Sequence, residues 1–196
     1  MRLFVAIRLP EECRPAVAKA AAPLEGALGA RLLEAENWHL TLKFIGDAGE
    51  ADATRISGAL AEISFAPFAV SLFGAGAYPS NNVPRAIYVG GESEGAKELA
   101  KKVDGALSFL GGKPEKFSVH LTVARSTRSF GTPNDLLTSR TTHRSTVSKG
   151  VADIEEFVQK TGAVCEFEAK SFCLMRSTLG AQGAIYEVLR EYPANG

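Results

Sequence analysis

The chain has 196 residues, 45% of them apolar and 22% charged, which allows a sizeable core without disulfide staples and excludes an intrinsically disordered protein. Its 22 basic and 22 acidic residues cancel, so no global field draws it onto nucleic acid or an anionic membrane, and any polyanion must be recognised locally. Cys13, Cys165 and Cys173 are odd in number and lack CxxC spacing, which argues against a disulfide framework or zinc knuckle and for buried thiols in a reducing compartment.

Strand-like character opens the chain at Leu3 to Leu9. Arg8, Glu11 and Glu12 interrupt that run too soon for a secretory segment, and no stretch reaches the roughly eighteen apolar residues of a membrane-spanning helix. A cytoplasmic protein with no membrane partner is expected. An Ala-rich helix is predicted over Glu11 to Leu28, a strand over His39 to Ile45, and a second helix over Asp52 to Ile63. Strands follow at Phe68 to Phe73 and Arg85 to Val89. Next comes a helix over Glu94 to Leu110, whose apolar positions Leu99, Val103, Ala106, Leu107 and Leu110 share a face, and then strands at Val119 to Ala124, Val164 to Met175 and Ala184 to Leu189. Helices interspersed with Gly-bounded neighbouring strands predict an α+β fold with largely antiparallel pairing.

A repeat organises these elements. Trp38-His39-Leu40-Thr41-Leu42 recurs eighty-one residues later as Val119-His120-Leu121-Thr122-Val123, and the same offset carries Ala6 onto Ile87. Each copy reads as strand, helix, then a strand bearing His-x-Thr, which predicts two similar lobes within one domain spanning residues 1–196. The offset then fails. Phe73 maps onto Asp153, whereas the next strand pattern begins near Val164, so the second copy holds extra chain, placed at 126–150. That stretch carries eleven Ser or Thr, and Arg128, Arg140, His143, Arg144 and Lys149 against Asp135. A polar segment with few large apolar groups cannot offset its ordering entropy. A disordered surface insertion is therefore expected, with a basic flap over an anionic substrate as the alternative.

The chain has three histidines, and two occupy equivalent places in the repeat. Residues i and i+2 of a strand share a face, so two facing lobes would present two imidazoles and two hydroxyls to one cleft. That set suits chemistry at a phosphodiester. A neutral imidazole takes a proton from attacking water, a protonated one delivers a proton to the departing oxygen, and both titrate near neutrality. Hydroxyls donate to the nonbridging oxygens, where charge is held. With Thr at i+2 and no carboxylate or thiol in the same strand, neither His has a coordination set, and no metal is expected.

These residues resemble the 2H phosphoesterase superfamily, which is marked by two His-x-Thr-x motifs. The flanking text, Arg2-Leu3-Phe4-Val5-Ala6-Ile7, Lys43-Phe44-Ile45-Gly46, Ala124-Arg125, Leu174-Met175-Arg176-Ser177-Thr178-Leu179 and Tyr186-Glu187-Val188-Leu189, is similar to its RNA 2',3'-cyclic phosphodiesterase branch, also called 2'-5' RNA ligase. The resemblance implies a bilobal fold with outer helices and a central cleft, and hydrolysis of RNA terminal 2',3'-cyclic phosphate to a 2'-phosphate without cofactor. It also implies the reverse 2'-5' ligation. His39 would be the proton donor and His120 the proton acceptor. Thr41, Thr122 and Arg125 would bind phosphate, and Phe44 would stack on a base. Val119 stands where the family often has proline, and Gln182-Gly183-Ala184-Ile185 lacks a frequent Gly-Pro; neither removes a reacting group.

Strand parity raises an objection. Counting by twos, His39 and His120 share a face with Lys43 and Ala124, so Phe44 and Arg125 would point away unless the strands bulge or end there. Core packing is the other reading of Phe44, and a surface ion pair that of Arg125. Ser177 and Tyr186 could reach the cleft but are read as structural, and Trp38 as a packing residue. Small cyclic phosphates, such as nucleotide or ADP-ribose derivatives, remain an alternative substrate class, and an RNA-end-binding module without turnover is an alternative function. A monomer is expected, because a two-lobed cleft is complete within one chain.

Overall fold

The computed structural model describes residues 1–27, 30–78, 84–111, 116–126, 152–180 and 183–195. The anticipated insertion, apart from Ser126, lies outside the described residues, and the flap reading with it. The strands are β1 (Arg2–Arg8), β2 (Ala30–Leu32), β3 (His39–Asp47), β4 (Phe68–Tyr78), β5 (Ala86–Glu92), β6 (His120–Ser126), β7 (Ala163–Ala169), β8 (Ser171–Gly180) and β9 (Gly183–Pro193). The helices are α1 (Arg14–Ala21), α2 (Glu50–Ala61), α3 (Glu94–Ala106) and α4 (152–160). All nine strands join one sheet in the order β7-β4-β5-β6-β3-β1-β8-β9, with β2 also on β6, and every pairing is antiparallel.

The two copies meet at the centre, where Leu40 of β3 lies opposite Leu121 of β6. These are equivalent positions of the sequence repeat. Outward from that join, β1 and β5 occupy matching places beside β3 and β6. The next strands are exchanged. β4 follows the first motif strand in the chain yet pairs with β5 of the second copy, and β8 of the second copy pairs with β1. Neither half of the sheet is thus built from one half of the sequence.

The sequence reads Val164 to Met175 as one strand, but the structure divides it at Lys170. The piece before, β7, is an edge strand on β4, and the piece after, β8, lies beside β1 in the other half of the sheet. A single residue links the edge strand β7 to β8 in the other half of the sheet, so the sheet is curled. Alternation alone does not reveal such a break, because both pieces keep strand periodicity. The first predicted helix is also shorter than expected. A 3-10 turn at Glu11–Cys13 leads into α1, and another at Ala22–Leu24, containing Pro23, ends it.

The outer helices cover one face of the sheet. Ala96, Leu99, Ala100 and Val103 of α3 are buried, and Ser93 caps that helix by accepting from the Ala96 N–H at 3.1 Å. Leu3, Val5 and Ile7 of β1 join this core, whereas Phe4 and Ala6, on the opposite face, form a smaller cluster with Cys173 and Met175, packed by Tyr186. Trp38 is buried in the main core, as are Cys13 and, in the smaller cluster, Cys173; Cys165 is partly buried. No helix among the described residues is long and apolar enough to cross a membrane.

Candidate active site

Each motif histidine opens its strand, and each is held by the same local bond. His39 Nδ1 lies 2.6 Å from the Asn37 carbonyl oxygen, and His120 Nδ1 lies 2.8 Å from that of Ser118. A carbonyl only accepts, so Nδ1 carries hydrogen in both rings. The neutral ring then has its lone pair on Nε2, and the protonated ring has a proton to give there. Both imidazoles are set for proton transfer through the same nitrogen.

The parity objection is answered by two bulges. Between β1 and β3 the register steps from Ala6 opposite Thr41 to Val5 opposite Lys43, which leaves Leu42 extra. Between β5 and β6 it steps from Tyr88 opposite Thr122 to Ile87 opposite Ala124, which leaves Val123 extra. Leu42 and Val123 are equivalent in the repeat, and both are buried. An extra residue reverses the alternation beyond it. Lys43 accordingly turns toward α3, where it pairs with Asp104, and Ala124 enters the core. Phe44 and Arg125 come round to the face of the histidines.

One cleft of about 540 Å³ is therefore lined by His39, Thr41, Phe44, His120, Thr122 and Arg125 together. Phe44 is 59% exposed, so its ring is a wall of the cleft and not a core residue. Arg125 is exposed, and no carboxylate among the described residues pairs with it. Arg2, Ser177 and Tyr186 complete much of the lining. No three His, Cys, Asp or Glu side chains among the described residues come together.

The two imidazoles differ in their surroundings. His39 packs against Phe4, centroids 4.9 Å apart, and meets Tyr186 edge-on at 5.1 Å, with Phe4 and Tyr186 themselves 5.4 Å apart. Burial pushes the His39 pKa down from its ordinary 6.5; the Asn37 hydrogen bond opposes this, and the charges of Arg125 and His120 add to it. His120 has an edge-on contact to Tyr88, with centroids at 5.6 Å. Tyr88 in turn lies opposite Gly76 on β4, where a Cβ would overlap the tyrosine ring.

Phe4, Tyr88 and Tyr186, with the lining residues Arg2 and Ser177, are among the site residues that the sequence reading misses or undervalues. Tyr186 sits in a segment already singled out, but its approach to His39 depends on β9 folding back along β8, which no local pattern encodes. Phe4 was hidden inside an unbroken apolar run, in which neither face stands out.

A family model described as "LigT like Phosphoesterase" matches residues 7–88. The chain is 35% identical over 196 residues to a protein of Archaeoglobus fulgidus named RNA 2',3'-cyclic phosphodiesterase, covering 98% of this chain and 99% of that one. It is 34% identical to a protein of the same name from Methanocaldococcus jannaschii, covering 98% and 100%. The crystal structure of TT0787 of Thermus thermophilus superposes with a TM-score of 0.76 at 26% identity, covering 100% of this chain and 99% of that chain. With likeness of that degree over nearly the whole length, the chain belongs to the LigT-like phosphoesterase family of 2H phosphoesterases.

Proposed function

We propose that the protein hydrolyses the 2',3'-cyclic phosphate at the end of an RNA to a 2'-phosphate, with His39 as general acid and His120 as general base. The gathering of both motif histidines, both threonines, Phe44 and Arg125 around one cleft carries this reading, and the names of the full-length relatives support its substrate. His120 Nε2 accepts a proton from water as the water oxygen bonds to phosphorus. The P–O3' bond breaks, and the 3' oxygen leaves with the proton from His39 Nε2. One water is consumed, a 3'-hydroxyl and a 2'-phosphomonoester form, and the imidazoles have exchanged protonation states. Thr41 and Thr122 donate to the nonbridging oxygens, Arg125 pairs with the phosphate charge, and Phe44 offers its face to an unpaired base.

In the free protein burial lowers the His39 pKa from its ordinary value, which disfavours the charged ring that the general-acid role uses. A phosphate anion beside the ring favours its charged form, opposing the effect of Arg125 and of burial. With a 5'-hydroxyl in place of water as the nucleophile, the same proton transfers break P–O3' and join the cyclic phosphate to that hydroxyl as a 2'-5' bond, but water in excess favours hydrolysis. Every group in this scheme belongs to the chain, so activity is expected to persist in chelator. The test is an oligoribonucleotide ending in 2',3'-cyclic phosphate, incubated with EDTA and read for product position. A 2'-phosphate is expected, whereas no turnover, or a 3'-phosphate, overturns the assignment.

A further inference from the structure

β2 is three residues long and was not visible in the sequence, yet it puts a second arginine next to Arg125. In the β2–β6 pairing Ala30 lies opposite Ser126, Arg31 opposite Arg125, and Leu32 opposite Ala124. Directly opposed residues of an antiparallel pair point to the same face, with Cα atoms about 5 Å apart. The alternation agrees: Ala30 is buried, Leu32 packs against the core, and Arg31 is exposed. Leu33, just past the end of β2, lines the same cleft as Arg125. From His120 through Thr122 to Arg125 the cleft wall runs outward along β6, and Arg31 lies beside the end of that row.

We propose that Arg31 binds the phosphodiester on the 5' side of the cyclised nucleotide, so that the cleft takes an RNA chain in preference to a mononucleotide; this rests on the hydrolase reading above. A chain with no net charge must recognise a polyanion through local groups. Two guanidinium groups on one face provide such a place, because each can grip phosphate oxygens with a planar fork of donors. Arg31 need not be unengaged for this, since its five N–H donors can serve more than one acceptor. Arg125 then serves the reacting phosphate, and Arg31 the next one along the strand.

The experiment compares wild type, Arg31→Ala and Arg31→Lys on two substrates, a nucleoside 2',3'-cyclic phosphate and an oligoribonucleotide ending in the same group, over a range of salt concentrations. For Arg31→Ala, kcat/KM on the oligonucleotide is expected to fall on the order of tenfold, mainly through KM, with a flatter salt dependence, while the mononucleotide changes by less than about twofold. Arg31→Lys should recover part of the loss, since it keeps the charge and loses the fork. Equal loss on both substrates, or no loss on either, overturns the proposal. A wild-type protein that turns over neither substrate overturns the hydrolase reading, and this proposal falls with it.

Discussion

Arg125 lies on β6 and His39 on β3, in different copies of the repeat, yet the arginine charge acts on the histidine and lowers its proton affinity. The two copies are therefore coupled electrostatically at the cleft as well as through the Leu40–Leu121 junction. In the free protein His39 should titrate below 6.5, with burial the larger cause. Arg125→Ala should raise that value, and inorganic phosphate should raise it in wild type. Histidine ring signals followed by NMR across pH test this; a His39 titrating above its ordinary value, or one indifferent to Arg125, would contradict it.

The same shift predicts a pH dependence of stability. A histidine whose folded pKa lies below its unfolded value binds fewer protons when folded, so unfolding is favoured as pH falls. Its contribution is complete above about 6.5 and is lost as pH falls through the lower folded value. Denaturant midpoints between pH 8 and pH 5 should decline, and His39→Asn should flatten that decline. An unchanged slope in the variant would show that other groups govern it.

Leu42 and Phe44 are two residues apart but differ in what they support. Leu42 is the buried extra residue of the bulge, and Leu42→Ala is expected to cost about 2–4 kcal/mol of stability. Phe44 is largely exposed, so Phe44→Ala should cost less than about 1 kcal/mol while raising KM for RNA several-fold, as expected for loss of a stacking platform. Chemical denaturation and steady-state kinetics on the two variants separate these effects. A large stability loss for Phe44→Ala would return that ring to a packing role.

Gly76 leaves the space that the Tyr88 ring occupies beside His120. Gly76→Ala forces that ring to move, and misplacement of a general base is expected to lower kcat by about 10- to 100-fold. Tyr88→Ala alone should lower kcat to a similar extent, and adding Gly76→Ala to it should cost little more, because both changes act through the same ring. Absence of any kinetic effect in Gly76→Ala would show that Tyr88 does not position His120.

Most of the site was legible in the sequence because its signal is a repeat: two His-x-Thr tetrapeptides and a strand alignment at one offset. The alternation of β3 and β6 taken alone pointed Phe44 and Arg125 away from the cleft. What overrode it was the bulge at Leu42 and Val123, a property of register against β1 and β5 that exists only once the strands are paired. The same limit hid the exchange of β4 and β8, the break at Lys170, and the three residues of β2 that align Arg31. Tyr186 was within view, but its contact with His39 depends on the β8–β9 hairpin and not on any spacing. The turn-bounded strands and amphipathic α3 were visible from local pattern, whereas α4, next to the polar stretch, was not anticipated.

The central claim is that two imidazoles, one from each copy, work on the same phosphate. It is tested most directly by the rate of 2'-phosphate formation from an RNA bearing a terminal 2',3'-cyclic phosphate, measured for wild type, His39→Ala and His120→Ala, with folding checked by circular dichroism. Each variant should keep its fold and lose roughly 10²- to 10⁴-fold in turnover, the usual scale for removing an acid or base. A folded variant of either kind that turns over at the wild-type rate would contradict the account.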